Sequence, residues 1–338
     1  MQSHRLIQTV DTHTEGQPTR IITSGLGYLP GDSIAAKREH FRTHSDHLRT
    51  ALMAEPRGHR DMYGCILTQP SRPEAEIGII YFHNSGYMDM CGHATIGLST
   101  ALVELGMVAV EEPVTRIVYD SVGGLVTALV KVEDGKALEV TFENVPGHVH
   151  CLGETLSVEG IGSMEVDVAY GGNDFVWFDA DAISLEIHDQ NARQIVDVAM
   201  RVMAAANEQL PVRDPATKAS REINIATALT RPKTVAGPAV RNVHVFGPGQ
   251  FDRSPGGTGT TARLAVMRAK GEIEPGVPVT VESGISDGRF VGRLLGEVDL
   301  GDGVTGYRTS VTGSAFVTGM HQFVMDPADR LKDGFLVR

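Results

Sequence analysis

The sequence predicts an α+β protein built from two similar halves. At 338 residues, the chain is long enough for two domains. Short runs of alternating apolar and polar residues recur along it, which is typical of strands with one buried face. A pattern from the first half also returns in the second, and such a repeat predicts two domains of one design.

The predicted strands lie in both halves, and three longer helical patterns lie among them. The strand-like runs are 76–82, 114–120, 124–132, 138–145, 166–172, 174–180, 242–246 and 277–284. The helical patterns are 92–106, 190–209 and 257–270. Strands therefore outnumber helices, and the 38 glycines suit the tight turns of a sheet-rich protein.

Two of the predicted helices begin with the same pattern. Residues 91–95 read CGHAT and residues 256–260 read GGTGT, so both have glycine second and threonine fifth. Each is followed by an apolar run that ends at a glycine. Segments 10–16 and 166–172 also match, in the same order along the chain. Two ordered matches favour an internal repeat over chance similarity.

Small residues at both helix starts predict anion sites. The first N–H groups of a helix lack partners within it, and together with the helix dipole they bind anions. Two such starts facing each other would hold a carboxylate without Arg or Lys. A single glycine-rich turn more often serves only to begin a helix. The repetition, with a cysteine heading one turn, favours a binding site here.

Cys91 is expected at the N-cap of the first of these helices. That position lowers the pKa of a thiol from ~8.5 towards neutrality, and the thiolate can act as a base or a nucleophile. A lone cysteine on an apolar helix is usually just buried. The Gly-His that follows Cys91 at a helix start favours a chemical role.

Composition limits the partners and the compartment. A net charge of −12 argues against a nucleic acid or an anionic membrane surface. No apolar run reaches 18 residues, and the first residues lack the apolar core of a signal peptide. Three widely spaced cysteines fit a reducing compartment. We therefore expect a cytoplasmic protein that acts on a small molecule.

Long stretches of the sequence resemble the proline racemase superfamily. MDMCGHATIG at 88–97 and DRSPGGTGTTARLAV at 252–266 are similar to its two signature motifs. Segments 10–21, 55–64 and 311–335 extend the resemblance over nearly the whole chain. The resemblance implies a fold like that of diaminopimelate epimerase, in which each of two pseudo-symmetric lobes wraps a mixed, mainly antiparallel sheet around a central helix.

The resemblance also implies how the lobes divide the chain. The first lobe would comprise 1–147 with 311–338 and carry Cys91, and the second would comprise 148–310. The active site would lie in the cleft between them. No metal, pyridoxal phosphate or nicotinamide is implied. The implied substrate is a small cyclic amino acid, and a homodimer is expected.

Individual residues take roles from the same resemblance. Cys91 matches the first catalytic cysteine. Asp252 would accept a hydrogen bond from the ring ammonium, and the His93 side chain would approach the ring nitrogen. Backbone N–H groups at the two helix starts would hold the substrate carboxylate: those of Gly92, His93, Gly257 and Thr258.

Gly256 is where the sequence departs from the family. Racemases and 4-hydroxyproline epimerases normally read DRSPCGTG here, with a second cysteine at this position. Stereoinversion needs a base on one face of the substrate and an acid on the other, and glycine can be neither. Members with another residue here, commonly threonine, resemble trans-3-hydroxy-L-proline dehydratases.

The departure predicts dehydration of trans-3-hydroxy-L-proline to Δ1-pyrroline-2-carboxylate. The hydroxyl lies on the same ring face as the α-hydrogen, so the Cys91 thiolate alone could remove the proton and deliver it to the leaving hydroxide. A 4-hydroxyproline 2-epimerase, a proline racemase and a non-catalytic binder of proline-like ligands remain alternatives. Turnover that depends on Cys91 would separate an enzyme from a binder.

Other residues suggest weaker alternatives. His40, His44 and His47 have helical spacing, but their charged surroundings favour an exposed helix face over a metal site. His148 and His150 would share one face of a strand. A metal hydrolase using these histidines would be sensitive to chelators. Three residues would line the pocket rim or support its loops: Arg57, His59 and Asp61. Four other residues are expected to be structural. Tyr63 and Trp177 would pack in the core, and the thiols of Cys65 and Cys151 would be unreactive.

Overall fold

In the computed structural model, which describes residues 5–234 and 236–337, the chain divides into two units. The first comprises the residues up to Phe142 together with those from Ser314 onward. The second is Glu143–Gly313. No helix in the described ranges has both the length and the apolar composition needed to cross a membrane.

Four α-helices occur in the described part of the chain: α1 (Ile34–Met53), α2 (Gly92–Glu104), α3 (Ala192–Gln209) and α4 (Gly257–Ala269). Helices α2, α3 and α4 lie within the three segments predicted from the helical pattern. Helix α1 begins where the Ser33 hydroxyl accepts a hydrogen bond from the Ala36 N–H, a side-chain N-cap.

The strands of the first unit are, in chain order, β1 (Arg5–Thr14), β2 (Gln17–Ser24), β3 (Tyr63–Thr68), β4 (Ile77–His83), β5 (Gly86–Met88), β6 (Val114–Ser121), β7 (Gly124–Glu133) and β8 (Lys136–Glu143). The second unit contains β9 (Gly147–Val158), β10 (Gly162–Tyr170), β11 (Asp174–Asp179), β12 (Val212–Arg213), β13 (Ser220–Arg221), β14 (Ile225–Thr230), β15 (Ala239–Phe246), β16 (Gln250–Asp252), β17 (Pro278–Ser283), β18 (Arg289–Asp299) and β19 (Thr305–Gly313). The chain then returns to the first unit as β20 (Ala315–Met325).

Both units pair their strands in the same order. In the first, β1–β2 is antiparallel, β2–β3 parallel, β3–β4 and β4–β5 antiparallel, β4–β6 parallel and β6–β7 antiparallel. The second repeats this order with β10, β11, β14, β15, β16, β17 and β18. A further antiparallel strand, β20 or β9, flanks β1 or β10. This agreement supports the repeat inferred from the sequence.

One buried helix fills the sheet of each unit. Every residue of α2 from Gly92 to Val103 is buried, and the helix packs on β1, β2, β7 and β20. Helix α4 packs in the same way on β9, β10, β18 and β19. The fit is close, because a Cβ atom added to Gly97 of α2 would lie 2.5 Å from the Thr12 hydroxyl. The predicted arrangement of a sheet around a central helix is confirmed.

The other two helices cover the outside of the sheets. Helix α1 buries Phe41 and Leu48 in the core of the first unit, and α3 buries Ile195 and Val202 in that of the second. The His40 and His44 rings of α1 stack at 4.3 Å. His44 and His47 are exposed, as the charge pattern of this segment predicted.

Arg57 attaches the C-terminal segment to the first unit. Its guanidinium donates to the Lys332 carbonyl at 3.2 Å and lies 3.4 Å from the Asp329 carboxylate. Nearby, the Phe335 N–H donates to the Glu55 carbonyl at 3.0 Å. Of the two neighbours singled out in the sequence, His59 is exposed, and the backbone carbonyl of Asp61 accepts from the Gln17 side chain. The supporting interpretation of Arg57 therefore fits the structure.

Candidate functional site

Cys91 is the N-cap residue of α2, just after the short strand β5. Its carbonyl accepts hydrogen bonds from the Thr95 N–H at 3.0 Å and the Thr95 hydroxyl at 2.8 Å. The Tyr81 hydroxyl lies 2.7 Å from that of Thr95. These bonds fix the backbone of Cys91, while its thiol makes no cap bond and is 3% exposed. The side chain is thus held at the helix start without being used to build it.

The His93 imidazole lies beside the Cys91 thiol. The sulfur is 3.6 Å from both ring nitrogens. The Tyr63 ring packs edge-on against the imidazole at 4.4 Å, and the Thr14 hydroxyl donates to the His93 carbonyl at 2.8 Å. Burial lowers the pKa of His93 to about 3, so the ring is neutral at physiological pH. A neutral imidazole can donate an N–H to a thiolate or accept a hydrogen bond from a thiol.

Asp252 ends β16 and is buried. Burial raises the pKa of its carboxyl to about 6, although hydrogen bonds from the hydroxyl and the N–H of Ser254, both at 2.8 Å, lower it in part. A buried carboxylate of this kind interacts more strongly with a cationic partner than an exposed carboxylate does.

Gly256 is the N-cap residue of α4. Its carbonyl accepts from the Thr260 N–H at 2.9 Å and the Thr260 hydroxyl at 2.7 Å, the same two bonds that join Thr95 to Cys91. The backbone nevertheless differs at the two caps, because φ is +85° at Gly256 and −141° at Cys91. Gly256 thus occupies a region of φ that L-residues with side chains rarely adopt.

The predicted carboxylate-binding residues begin the two central helices. Gly92 and His93 are the first residues of α2, and Gly257 and Thr258 are the first of α4. The Asn173 amide donates to the Thr258 hydroxyl at 3.3 Å. The first N–H groups of any helix have no partner within it, so each unit presents a helix start suited to an anion.

His244 is a residue of the second unit, beside Asp252 and Gly256, that the sequence reasoning missed. It lies on β15, directly opposite Asp252 on β16. Its Nδ1 is 2.7 Å from the Thr227 hydroxyl, and its Nε2 is 3.0 Å from the Pro255 carbonyl. A carbonyl only accepts, so Nε2 carries the proton and Nδ1 accepts from Thr227. A histidine within the buried run at 242–246 was the available signal.

Burial keeps the His244 ring neutral, since it lowers the pKa to about 4. The Trp177 and Phe175 rings meet the imidazole with their centroids 5.6 Å from it, which gives Trp177 the packing role that was expected. The ring also fills the space beside the α4 start. A Cβ atom built on Gly256 would lie 2.1 Å from His244 Nε2, and one on Gly259 would lie 2.4 Å from Cε1.

The remaining candidates are the two other histidines and the two other cysteines singled out in the sequence. The His148 and His150 rings share a strand face at 4.8 Å, and His150 lies 2.8 Å from Asp174. Across residues 5–234 and 236–337, no three His, Cys, Asp or Glu side chains are grouped to hold a metal ion. Burial raises the pKa of the Cys65 thiol, and it raises that of Cys151 to about 11. Both thiols therefore hold their protons more firmly than an ordinary cysteine.

Comparisons with known proteins all point to one protein family. The family model described as "Proline racemase" matches residues 9–336. The chain is 44% identical to a 4-hydroxyproline 2-epimerase of Streptosporangium roseum, 39% to a proline racemase of Clostridioides difficile and 38% to a trans-3-hydroxy-L-proline dehydratase of Burkholderia cenocepacia. Each alignment covers 100% of both chains.

A solved structure supports the same relationship. The crystal structure of a hydroxyproline epimerase from Agrobacterium vitis, with bound trans-4-hydroxy-L-proline, matches with a TM-score of 0.90 at 30% identity. The match covers 98% of this chain and 96% of that one. The fold predicted from the motifs is thereby confirmed. Relatives with three different activities match over their whole lengths, so overall similarity does not select among those activities.

Proposed function

The chain belongs to the proline racemase family, and we propose that it is a trans-3-hydroxy-L-proline dehydratase with Cys91 as its single base. The observation that carries this proposal is Gly256. This residue stands where the racemase and epimerase motif has its second cysteine, and it offers no group that can hold a proton. Chemistry that needs proton transfer on only one face of the substrate is the chemistry such a site can perform.

In the proposed complex, one substrate molecule meets both helix starts. The N–H groups of Gly92, His93, Gly257 and Thr258 bind its carboxylate. The Asp252 carboxylate, buried and held by Ser254, accepts from the ring ammonium. These contacts would fix the ring so that the α-hydrogen faces the Cys91 sulfur. Binding the carboxylate at two helix N-termini would also stabilise the charge that develops when the α-proton leaves.

The reaction then needs one proton carrier. The Cys91 thiolate takes the proton from Cα as the C3–O bond breaks. The resulting thiol returns that proton to the departing hydroxide, which leaves as water. The enamine product tautomerises to Δ1-pyrroline-2-carboxylate by moving a proton from nitrogen to C3. The neutral His93 ring beside the sulfur would stabilise the thiolate by donating one N–H.

Epimerisation of 4-hydroxyproline is the second candidate. It is favoured by the 44% identity to a 4-hydroxyproline 2-epimerase and by the likeness to a hydroxyproline epimerase with bound trans-4-hydroxy-L-proline. The hydroxyl of 4-hydroxyproline is not β to the acidic Cα–H bond, so dehydration in this manner is closed to that substrate. Inversion would then require a proton donor other than residue 256.

Proton NMR in D2O separates the two candidates. The purified protein is incubated with trans-3-hydroxy-L-proline and, separately, with trans-4-hydroxy-L-proline and L-proline. We expect Δ1-pyrroline-2-carboxylate from the first substrate. Cys91→Ser should abolish it, whereas the matched Cys151→Ser variant should leave it unchanged. An intact first substrate, together with inversion of the second, would replace the dehydratase proposal with the epimerase.

A further inference from the structure

The turn before α4 is built differently from the turn before α2, although both lie at matching points of the repeat. Cys91 has an ordinary extended φ of −141°, and Gly256 has a φ of +85°. The ring of His244 fills the position of a Cβ atom at 256, and its Nε2–H holds the Pro255 carbonyl. The two turns therefore differ in more than the side chain at the cap, since the backbone φ and the space beside the cap residue differ as well.

We propose that His244 is a positioning residue that holds the Pro255–Gly256 turn in a form only glycine can adopt, and so keeps the second face of the substrate without a proton donor. The catalytic consequence rests on the proposed function. The structural coupling between His244 and Gly256 does not. The pair thus determines whether proton transfer is one-sided, as in dehydration, or two-sided, as in inversion.

His244 is itself poorly suited to be the missing acid or base. Its Nε2–H is committed to the Pro255 carbonyl, and its Nδ1 lone pair is committed to the Thr227 hydroxyl. The two rings packed against it, those of Trp177 and Phe175, offer no charge that would stabilise an imidazolium. A neutral imidazole is a very weak acid, so protonating a carbanion from this ring would be slow.

A double-mutant cycle on the full-length protein tests the coupling. The variants are His244→Val, Gly256→Cys and both together, with Gly256→Ala as the matched control that adds a Cβ without a thiol. Each is assayed for melting temperature and for deuterium at Cα of trans-4-hydroxy-L-proline, with the configuration of the product determined. We expect either Gly256 substitution alone to lower Tm by several degrees and to give no inversion.

In the His244→Val background, adding Gly256→Cys should lower Tm by clearly less than Gly256→Cys does in the wild type. That double variant should also exchange and invert the substrate, whereas His244→Val/Gly256→Ala should not. Additive Tm losses, or inversion by Gly256→Cys with His244 intact, would overturn the proposal. Inversion by the wild type that His244→Val abolishes would also overturn it, because His244 would then be the second acid.

If the Gly256 variants do not fold, a comparison of two His244 variants tests the proposal instead. His244→Gln keeps an N–H donor for the Pro255 carbonyl, so we expect it to retain more dehydration, in kcat rather than KM, than His244→Val. Equal losses would contradict the positioning role. A wild type that fails to dehydrate trans-3-hydroxy-L-proline but shows non-additive Tm values would reject the proposed function and keep the coupling of His244 to Gly256.

Discussion

The sulfur of Cys91 lies 3.6 Å from each ring nitrogen of His93, in a pocket where burial keeps the imidazole neutral. The two residues are therefore paired as a thiol with an imidazole, or as a thiolate with an N–H donor, rather than as a fixed ion pair. In the reaction proposed above, the sulfur would carry the proton, and the ring would adjust how readily the sulfur gives it up or takes it.

Removing the sulfur should abolish the chemistry and leave the fold intact. For Cys91→Ala and Cys91→Ser, we expect the rate of α-proton removal to fall by at least about 10²–10⁴-fold, the usual contribution of a positioned acid or base. The thiol does not cap α2, so Tm should change little. Solvent-deuterium exchange measures the first effect and thermal unfolding the second. Retained exchange in Cys91→Ala would exclude Cys91 as the base.

The His93 ring should matter through its N–H rather than its bulk. In His93→Phe a ring of similar shape still packs against Tyr63, but the donor to the sulfur is lost. We expect kcat to fall by roughly 10–100-fold, the equivalent of one hydrogen bond to a charged group. His93→Gln, which keeps an N–H donor, should lose less. Steady-state kinetics of both variants would check this, and equal losses would indicate a packing role alone.

Asp252 should add its own ionisation to the acid limb of the pH profile, beside that of the Cys91 thiol. Its carboxyl has a pKa raised to about 6, and only the ionised form carries the charge that pairs with the substrate ammonium. The loss of this charge should therefore lower kcat/KM by about a further tenfold per pH unit below about 6. The pKa values of His93 and His244, about 3 and about 4, lie too low to produce this limb. A profile of kcat/KM from pH 4 to 9 tests the assignment.

The raised pKa of Asp252 also predicts that a rise in pH lowers the stability of the fold while it raises the activity. The folded carboxyl has a higher pKa than the 3.8 of the unfolded chain, so the folded state binds more protons, and this contribution to stability is lost as pH rises from about 4 to 6. At pH 8, the free energy of unfolding of Asp252→Asn should exceed that of the wild type by about 1–3 kcal/mol, because a shift of two pKa units corresponds to about 3 kcal/mol. It should also bind substrate poorly. A variant less stable than the wild type at pH 8 would contradict the assigned cause.

Much of the fold could be predicted because its signals are local. The apolar stripes of α2 and α4, the alternation in strands such as β7 and the glycine at each central helix end all act within a few residues. The repeat added the equivalence of Thr95 and Thr260, which the structure expresses as the same pair of hydrogen bonds to the preceding cap carbonyl. The family motifs then supplied the two-lobed fold, with a mixed, mainly antiparallel sheet around each central helix.

The conformation of the turn before α4 could not be predicted, because it depends on contacts between residues that are distant in sequence. His244 reaches Gly256 only after β15 and β16 pair, and its tautomer depends on Thr227 from a third strand. Sequence alone showed that position 256 had lost its cysteine. It did not show that the His244 ring fills the space beside position 256 or that φ is positive there.

The hydrogen bonds that Thr95 and Thr260 donate to the two cap carbonyls offer a final test of how alike the units are. Thr95→Val and Thr260→Val each remove a buried hydroxyl that donates to a cap carbonyl, and the loss of that hydrogen bond should cost about 1 kcal/mol in each variant. Thr95→Val should cost about 1–3 kcal/mol more than Thr260→Val, because it also deprives the buried Tyr81 hydroxyl of its partner at 2.7 Å. Removing Tyr81's hydroxyl as well, in Thr95→Val/Tyr81→Phe, should recover part of that difference. Urea unfolding of the three variants measures the free energies. Equal costs for both threonines would mean that the Tyr81–Thr95 bond contributes nothing, and that the caps hold Cys91 and Gly256 with equal strength despite their different backbones.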